Sequence, residues 1–276
     1  MNLYPLLTAP HFLSGDKTPW GGSMLRDAFM KDAPEQTGES LEVSALSEQE
    51  SLIRNGAHAA KALSRMAEIW GEKLTGREGE FPLLLKLIDA AEAMPEQCGS
   101  AKAWVILNCD AGAQLVCGGE EKNLRPGDVY YIPAGAAYSV SAGVQLYEIS
   151  AAGMEYASAS EKAARIFGTT SLCKGGSRTY YAADEGFELC RLNLSGKMPL
   201  SDGRLHIITP LAPCTLKWAD EEMELIPLES IIIPAELDGV TIESEDCKLM
   251  CASPSDREWL KNELGYRAEN VAGLIS

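Results

Sequence analysis

Three histidines and eight cysteines are the side chains best suited to bind a transition metal in this chain. The histidines are His11, His58 and His206, which are far apart in the sequence. The cysteines form no Cys-x-x-Cys pair, although Cys247 and Cys251 would share one face of a strand. A catalytic zinc ion typically takes about three protein ligands. The pattern therefore favours buried, reduced thiols and histidines that are surface-exposed or satisfied in the core.

Residues 125–138 carry a recognisable pair of turns. A Pro126-Gly127-Asp128 turn, a short strand and a second turn at Pro133-Ala134-Gly135 precede Tyr138. This segment resembles the second motif of a cupin barrel. In cupins that use a metal, a histidine ligand normally occupies the position of Tyr138. The resemblance implies a cupin scaffold in which that ligand has been replaced.

The elements around this motif are mostly strands. Strands are predicted at 37–46 and 82–88, and from Trp104 onward short strands alternate with glycine turns at the density of an antiparallel barrel or sandwich. Apolar residues at helical spacing predict a helix over 57–74. Residues 228–234 occupy the place that 126–133 hold earlier, a weak internal repeat.

These elements predict an all-β fold with a few helices, built from two cupin-like (jelly-roll) barrels. We expect an N-terminal cupin domain at 1–168, which includes the helical segment 57–74. A linker at 169–185 and a C-terminal cupin-like domain at 186–276 follow. A terminal helix from Ser255 to Leu264 would be capped by Ser255, with Glu258 completing a capping box.

Three further segments, in order, resemble type I mannose-6-phosphate isomerases, and in particular the shorter bacterial forms. They are Pro19-Trp20-Gly21-Gly22 with Leu25-Arg26-Asp27, then Thr37 to Ser44, then Phe81 to Asp89. The resemblance runs from about residue 1 to about residue 252. It implies a two-cupin fold with one zinc that interconverts mannose 6-phosphate and fructose 6-phosphate through an enediol. That chemistry needs a base and a Lewis acid or positive charge.

The positions of the family's zinc ligands differ here. The segment after Asp89 is too short for the family's ligand loop and contains no histidine. Lys102 stands where the family has a glutamate, Tyr138 replaces the last histidine, and Ser158 replaces a catalytic arginine. A lysine would repel a zinc ion as well as fail to bind it. The comparison implies that the family zinc is lost, so no metal and no other cofactor are expected.

Five residues remain as candidates for a substrate pocket, and none is assigned a catalytic role. By resemblance, Lys86 matches a lysine near the substrate phosphate and Glu148 matches a glutamate near a strand end. The alternative for Lys86 is a salt bridge inside the barrel to Glu39, Glu42 or Glu148. For Tyr138 a packed aromatic ring with a satisfied hydroxyl is favoured over a catalytic acid. The candidates are Lys86, Glu148, Glu39, Tyr138 and Lys102.

Three hypotheses follow from these patterns. The first is a catalytically degenerate family member of carbohydrate metabolism that binds a sugar, a sugar phosphate or a partner protein. The second is an active isomerase with a relocated or absent metal. The third is a regulatory or structural homodimer whose barrel is filled by side chains.

Composition and charge limit the partners and the cellular location expected for the protein. The chain has 276 residues and a formal charge of −16, from 40 acidic and 24 basic residues, which argues against a general nucleic-acid surface. The N-terminus lacks the features of a signal peptide, and no apolar stretch is long enough for a membrane span. A cytoplasmic protein without nucleic-acid or membrane partners is therefore expected.

Overall fold

A computed structural model describes residues 2–152, 166–183 and 186–264 of the chain. These residues contain twenty strands and four α-helices. The helices are α1 Met24–Asp27, α2 Leu63–Trp70, α3 Glu72–Thr75 and α4 Arg257–Leu264. Strands β1 to β12 are Leu6–Ala9, His11–Ser14, Thr37–Val43, Leu52–Ile53, Leu83–Ala90, Met94–Gln97, Lys102–Cys109, Gln114–Cys117, Glu120–Asn123, Val129–Ile132, Tyr138–Val140 and Val144–Ala151. Strands β13 to β20 are Ile166–Cys173, Gly176–Ala183, Phe187–Pro199, His206–Pro210, Cys214–Trp218, Glu221–Leu225, Ile231–Ile233 and Thr241–Pro254.

The strands divide between two compact units. One unit, called the two-sheet unit, comprises Pro10–Ser51 and Leu83–Glu161. Its six-stranded sheet has the order β10-β7-β12-β5-β3-β2, and its four-stranded sheet has the order β6-β11-β8-β9. Both sheets contribute to one apolar cluster, which includes Ile88 and Ile106 from the first sheet and Leu115 and Val140 from the second. The two sheets therefore face each other across a shared core, as in a jelly roll.

The other unit, called the ten-strand unit, comprises Met1–Ala9, Leu52–Pro82 and Lys162–Ser276. Its main path is β13-β14-β15-β20-β16-β19-β1-β4, and the hairpin β17-β18 pairs with β20. Strand β20 pairs with β17 through its first part and with β16 through its later part. The core between these strands is almost entirely aliphatic and sulfur-containing, as the low aromatic content suggests.

The prediction of a mostly β fold with a few helices is confirmed, but the structure divides the chain differently from the prediction. Residues 2–9 and the helical segment 57–74 belong to the ten-strand unit, because β1 pairs with β19 and the Leu74 carbonyl accepts the Ala235 N–H. The linker predicted at 169–185 is wrong. Its described residues form parts of β13 and β14, joined by a turn at Lys174-Gly175, and Gly175 and Gly176 both have positive φ.

Two helix predictions also change at their ends. The helix expected over 57–74 is interrupted at Gly71, whose φ of 53° separates α2 from α3, while His58 lies in a short 3₁₀ turn. The terminal helix begins at Arg257, and the Asp256 carboxylate, rather than Ser255, accepts the Trp259 N–H. Every helix in the described ranges is too short or too polar to cross a membrane.

Candidate functional site

Three side chains lie side by side across the six-stranded sheet, namely Lys86, Glu148 and Trp104. Glu148 of β12 is the direct antiparallel partner of Lys86 on β5 and of Trp104 on β7. Residues that are directly opposite in a sheet project to the same face. Lys102 lies two residues before Trp104 and shares that face. The register of three neighbouring strands therefore places two lysines, a glutamate and a tryptophan together inside the two-sheet unit.

Lys102 is the centre of this group. Its Nζ lies 2.8 Å from the Tyr138 hydroxyl and 3.5 Å from Glu148 Oε2. The Tyr138 hydroxyl donates to Gln97 Oε1 at 3.2 Å, and Trp104 Nε1 donates to Glu148 Oε2 at 2.7 Å. The Trp104 and Tyr138 rings meet edge to face, with centroids 5.2 Å apart. The Lys102 ammonium, the Tyr138 phenol and the Glu148 carboxylate therefore all have hydrogen-bond partners within the protein.

A second ion pair lies beside the first. Lys86 Nζ donates to Glu39 Oε2 at 2.7 Å, which joins β5 to β3. The four charged groups, Lys86, Lys102, Glu39 and Glu148, have formal charges that sum to zero. Burial is deep, since Glu148 is 2% exposed and Lys102 is 7% exposed. We call these four residues together with Trp104, Tyr138 and Gln97 the ion network.

The surroundings fix the protonation states of the network. Burial raises the pKa of Glu148, but the ammonium groups of Lys102 and Lys86 outweigh burial and hold that pKa below its usual value. Burial lowers the pKa of Lys102, and Glu148 and Tyr138 more than reverse that effect. The pKa of the buried Tyr138 phenol is raised. At neutral pH Glu148 is therefore a carboxylate, Lys86 and Lys102 are ammonium groups and Tyr138 is a neutral phenol, and Glu148 is a weaker base than an ordinary carboxylate.

Comparison with known proteins relates the chain to one group of enzymes. No family model matches it. A putative mannose-6-phosphate isomerase of Bacillus subtilis, YvyI, is 28% identical over 186 residues, covering 54% of this chain and 58% of that protein. The mannose-6-phosphate isomerase of Streptococcus mutans is 26% identical over 184 residues, covering 51% of this chain and 57% of that protein. The sequence match thus spans less than two thirds of these relatives.

The fold is shared over more of the chain. The mannose 6-phosphate isomerase from Bacillus subtilis superposes with a TM-score of 0.78 and 22% identity, covering 91% of this chain and 99% of that one. A zinc-bound mannose 6-phosphate isomerase gives a TM-score of 0.72 with 11% identity over 92% of this chain. The sequence matches and the motif order agree with this fold. The chain is thus similar to mannose-6-phosphate isomerases in sequence over about 54% of its length and in fold over about 91% of it.

The resemblance implies a zinc ion, but the donor set in this chain does not fit one. Lys102 and Tyr138 stand at two of the implied ligand positions, and the Lys102 ammonium contacts the carboxylate of Glu148. No three His, Cys, Asp or Glu side chains in the described part of the chain are grouped to hold a metal ion. A protein cation thus stands at one of the positions that the resemblance assigns to a metal ligand. The expected loss of zinc stays a prediction for metal analysis.

All five candidate residues lie in the ion network. Lys86 contacts Glu39, one of the three salt-bridge partners considered from the sequence, whereas Glu42 instead accepts from Lys31 at 2.7 Å. Tyr138 is 3% exposed, as expected for a packed aromatic with a satisfied hydroxyl. Ser158 lies outside the described residues.

Sequence reasoning missed two members of the network. Trp104 and Gln97 were not candidates, although Trp104 is two residues from Lys102 and therefore on its face. That spacing was the available signal for Trp104. Gln97 could not be found in the same way, because its contact with Tyr138 depends on the pairing of β6 with β11.

The glycines of the motifs that carry the resemblance have a structural role in this chain. A Cβ at Gly21 would lie 2.3 Å from the Gly38 backbone nitrogen, and a Cβ at Gly38 would lie 2.6 Å from Thr18 Cβ. Bridges join Gly21 to Ala90 and Gly22 to Thr37. The Trp-Gly-Gly and Thr-Gly-Glu motifs therefore meet through a close backbone approach that excludes side chains. Their presence indicates the family fold rather than its chemistry.

Proposed function

We propose that this family member binds a sugar or sugar phosphate in the two-sheet unit without isomerising it. The observation that carries the proposal is the contact of the Lys102 ammonium with both Glu148 and Tyr138. Enediol chemistry requires a base and an electrophile that polarises the carbonyl. Here Glu148 has a lowered pKa and is already paired with the Lys102 ammonium, so it is a weaker base for proton abstraction than an ordinary carboxylate.

Binding is compatible with the same groups. Carboxylates and ammonium groups can exchange their mutual contacts for sugar hydroxyls, whereas the buried Trp104 and Tyr138 rings would contact a sugar only after the side chains around them move. Because the four charges of the network cancel, a neutral sugar would meet no electrostatic penalty. A phosphorylated sugar would need Lys86 to leave Glu39, so comparison of the two ligand types tests the role of Lys86.

The first test measures zinc and activity together. Purified protein is dialysed against zinc, its metal content is determined, and conversion of mannose 6-phosphate is followed with and without a chelator. We expect substoichiometric zinc and no metal-dependent conversion. Stoichiometric zinc accompanied by chelator-sensitive isomerisation would establish the alternative, an active isomerase.

A gain-of-site variant sharpens this test. The double variant Lys102→Glu/Tyr138→His restores the two ligand types implied by the family resemblance, and we expect it to bind zinc more tightly than the unaltered chain. The control Lys73→Glu makes the same charge change as Lys102→Glu at an exposed position whose side chain is 62% accessible. If the control gains as much zinc as the double variant, the gain reflects net charge and the assignment of the site fails.

Ligand binding is measured separately by calorimetry with mannose and mannose 6-phosphate. Lys86→Met should weaken the phosphorylated ligand more than the neutral one. If neither ligand gives a heat of binding, the proposal that the protein binds a sugar is refuted. The proposed loss of isomerase activity would not be affected by that result.

A further inference from the structure

A second polar cluster lies in the ten-strand unit, where the proposed function does not use it. Cys190 of β15 and Cys251 of β20 are direct antiparallel partners, and the Cys190 thiol is hydrogen-bonded to the Cys251 sulfur. Directly opposed residues in an antiparallel pair have Cα atoms about 4.5 or 5.5 Å apart, and disulfides span about 4.4–6.8 Å. The backbone therefore already holds these two cysteines at a separation that a disulfide can bridge.

A histidine borders this cysteine pair. His206 Nδ1 lies 3.6 Å from Cys251 Sγ and 2.7 Å from Ser253 Oγ. Its Nε2 is 2.7 Å from Asp202 Oδ1, so the carboxylate orients the ring and favours an imidazolium. His206 is 1% exposed and Cys251 is 3% exposed. A buried imidazole beside a buried thiol, with its other nitrogen on a carboxylate, is a means of making a thiolate.

The groups around Cys251 also favour its thiolate form. The hydrogen bond from Cys190 lowers the pKa of the Cys251 thiol, and although burial opposes that effect, His206 and the Arg178 guanidinium lower the pKa further. Burial lowers the pKa of His206, but Cys251 and Asp202 raise it to about 9. Arg204 also faces this region and is shared between Glu188 at 2.8 Å and Asp202 at 3.4 Å. These groups therefore favour the thiolate–imidazolium form of the pair.

We propose that Cys190 and Cys251 form a hydroperoxide-reactive dithiol, in which Cys251 attacks the oxidant and Cys190 resolves the product. The Cys251 thiolate attacks one oxygen of hydrogen peroxide and the O–O bond breaks, which gives a sulfenic acid on Cys251. The hydroxide that leaves takes one proton and becomes water. The Cys190 sulfur then attacks the Cys251 sulfur, its own proton leaves with the hydroxyl group as a second water, and an S–S bond forms. Two thiols are oxidised and one peroxide is reduced to two waters.

Another cysteine pair in the same unit provides an internal comparison. Cys214 and Cys247 are also hydrogen-bonded to each other, and Cys247 Sγ contacts the Ala212 carbonyl oxygen at 3.1 Å. Within the described residues, no histidine is hydrogen-bonded to either sulfur of that pair. Both pairs are largely buried, and hydrogen peroxide is similar in size to water, so access does not distinguish them. The imidazole of His206 is the feature that should favour Cys190–Cys251.

The test treats the folded, reduced chain with a small excess of hydrogen peroxide. The reaction is quenched with an alkylating agent in denaturant, and disulfide-linked peptides are quantified by mass spectrometry without reduction. We expect the Cys190–Cys251 link to form about tenfold faster than the Cys214–Cys247 link. The proposal is overturned if Cys190–Cys251 stays reduced, or if Cys214–Cys247 forms first.

Variants assign the roles of the residues. Cys190→Ser should stop the reaction at a sulfenic acid on Cys251 that a dimedone probe captures, whereas Cys251→Ser should leave Cys190 unlabelled. His206→Gln should remove most of the difference in rate between the two cysteine pairs. Asp202→Asn, a milder change at a partly exposed side chain, should reduce that difference to a smaller extent. Equal rates for the original chain and both folded variants would exclude the role of His206.

Discussion

Replacing Lys102 by methionine tests how much the ion network contributes to the stability of the two-sheet unit. The side chain keeps its approximate length, but Glu148, at 2% exposure, loses its nearest cation. Breaking a buried ion pair by removing one partner costs about 3–5 kcal/mol, because the remaining charge is left without its partner in a site away from water. Trp104 still donates to Glu148, and Lys86 remains opposite it. We therefore expect a loss near the lower limit, about 3 kcal/mol.

The pH dependence separates this cause from simple loss of packing. In the original chain the folded-state pKa of Glu148 is depressed, so its contribution to stability is present above the unfolded pKa of about 4.3 and is lost as pH falls through the folded value. Without Lys102, burial is opposed by fewer cations and the folded pKa rises. The unfavourable contribution of the charged carboxylate then decreases as pH falls. The penalty of Lys102→Met should thus be smaller at about pH 5 than at about pH 7.

Calorimetric unfolding at several pH values measures both effects, with Lys102→Met/Glu148→Gln as the companion double variant. Removing both charges should recover at least half of the loss. Lys73→Met is the matched control, because the Lys73–Glu236 contact is 4.0 Å long and exposed and should change stability by less than about 0.5 kcal/mol. A loss below about 1 kcal/mol with no pH dependence would refute the buried ion pair.

Three further predictions concern other parts of the chain. Gly21→Ala should destabilise the two-sheet unit by more than about 2 kcal/mol, measured by urea unfolding, because its Cβ would overlap the Gly38 backbone. Glu188→Gln should increase hydrogen exchange in α4, because the Glu188 carboxylate accepts from the Asp256 N–H at the start of that helix. His206 has a pKa raised to about 9, so the stability it contributes should be fully present below about pH 6.5 and lost as pH rises through about 9. Unfolding free energies of the original chain and His206→Gln should therefore converge at about pH 10.

The fold could be predicted from the sequence because its signals are local. The turn at Pro126-Gly127-Asp128 and the apolar run from Phe81 each depend on neighbouring residues, and their order along the chain carried the family resemblance. The division into units could not be predicted in this way. Residues 2–9 join the ten-strand unit only because Leu6 pairs with Ile232, a contact across more than two hundred residues. No local sequence pattern predicts the pairing of two strands that lie so far apart in the chain.

The same distinction holds for the two polar clusters. That Lys86 would form a salt bridge was foreseen as one of two alternatives, and Tyr138 was expected to pack with a satisfied hydroxyl. The partner of Lys86 could not be chosen among three glutamates, because a bulge in β3 between Leu41 and Val43 alters the register against β5. Cys190 was treated as a small apolar residue, since its contact with Cys251 appears only when β15 and β20 are paired.

The ion network and the apolar core share the interior of the two-sheet unit. On β5, Lys86 is two residues from Ile88, and on β12, Glu148 is two residues from Leu146, so each strand carries a charged and an apolar side chain on the same face. The apolar residues belong to the core that joins the two sheets. Burial of that core stabilises the fold whatever ions lie at the other end of the interior. The Lys102 ammonium pairs with the Glu148 carboxylate, so the protein itself compensates that buried charge, and the motifs that indicate the fold do not by themselves indicate catalysis.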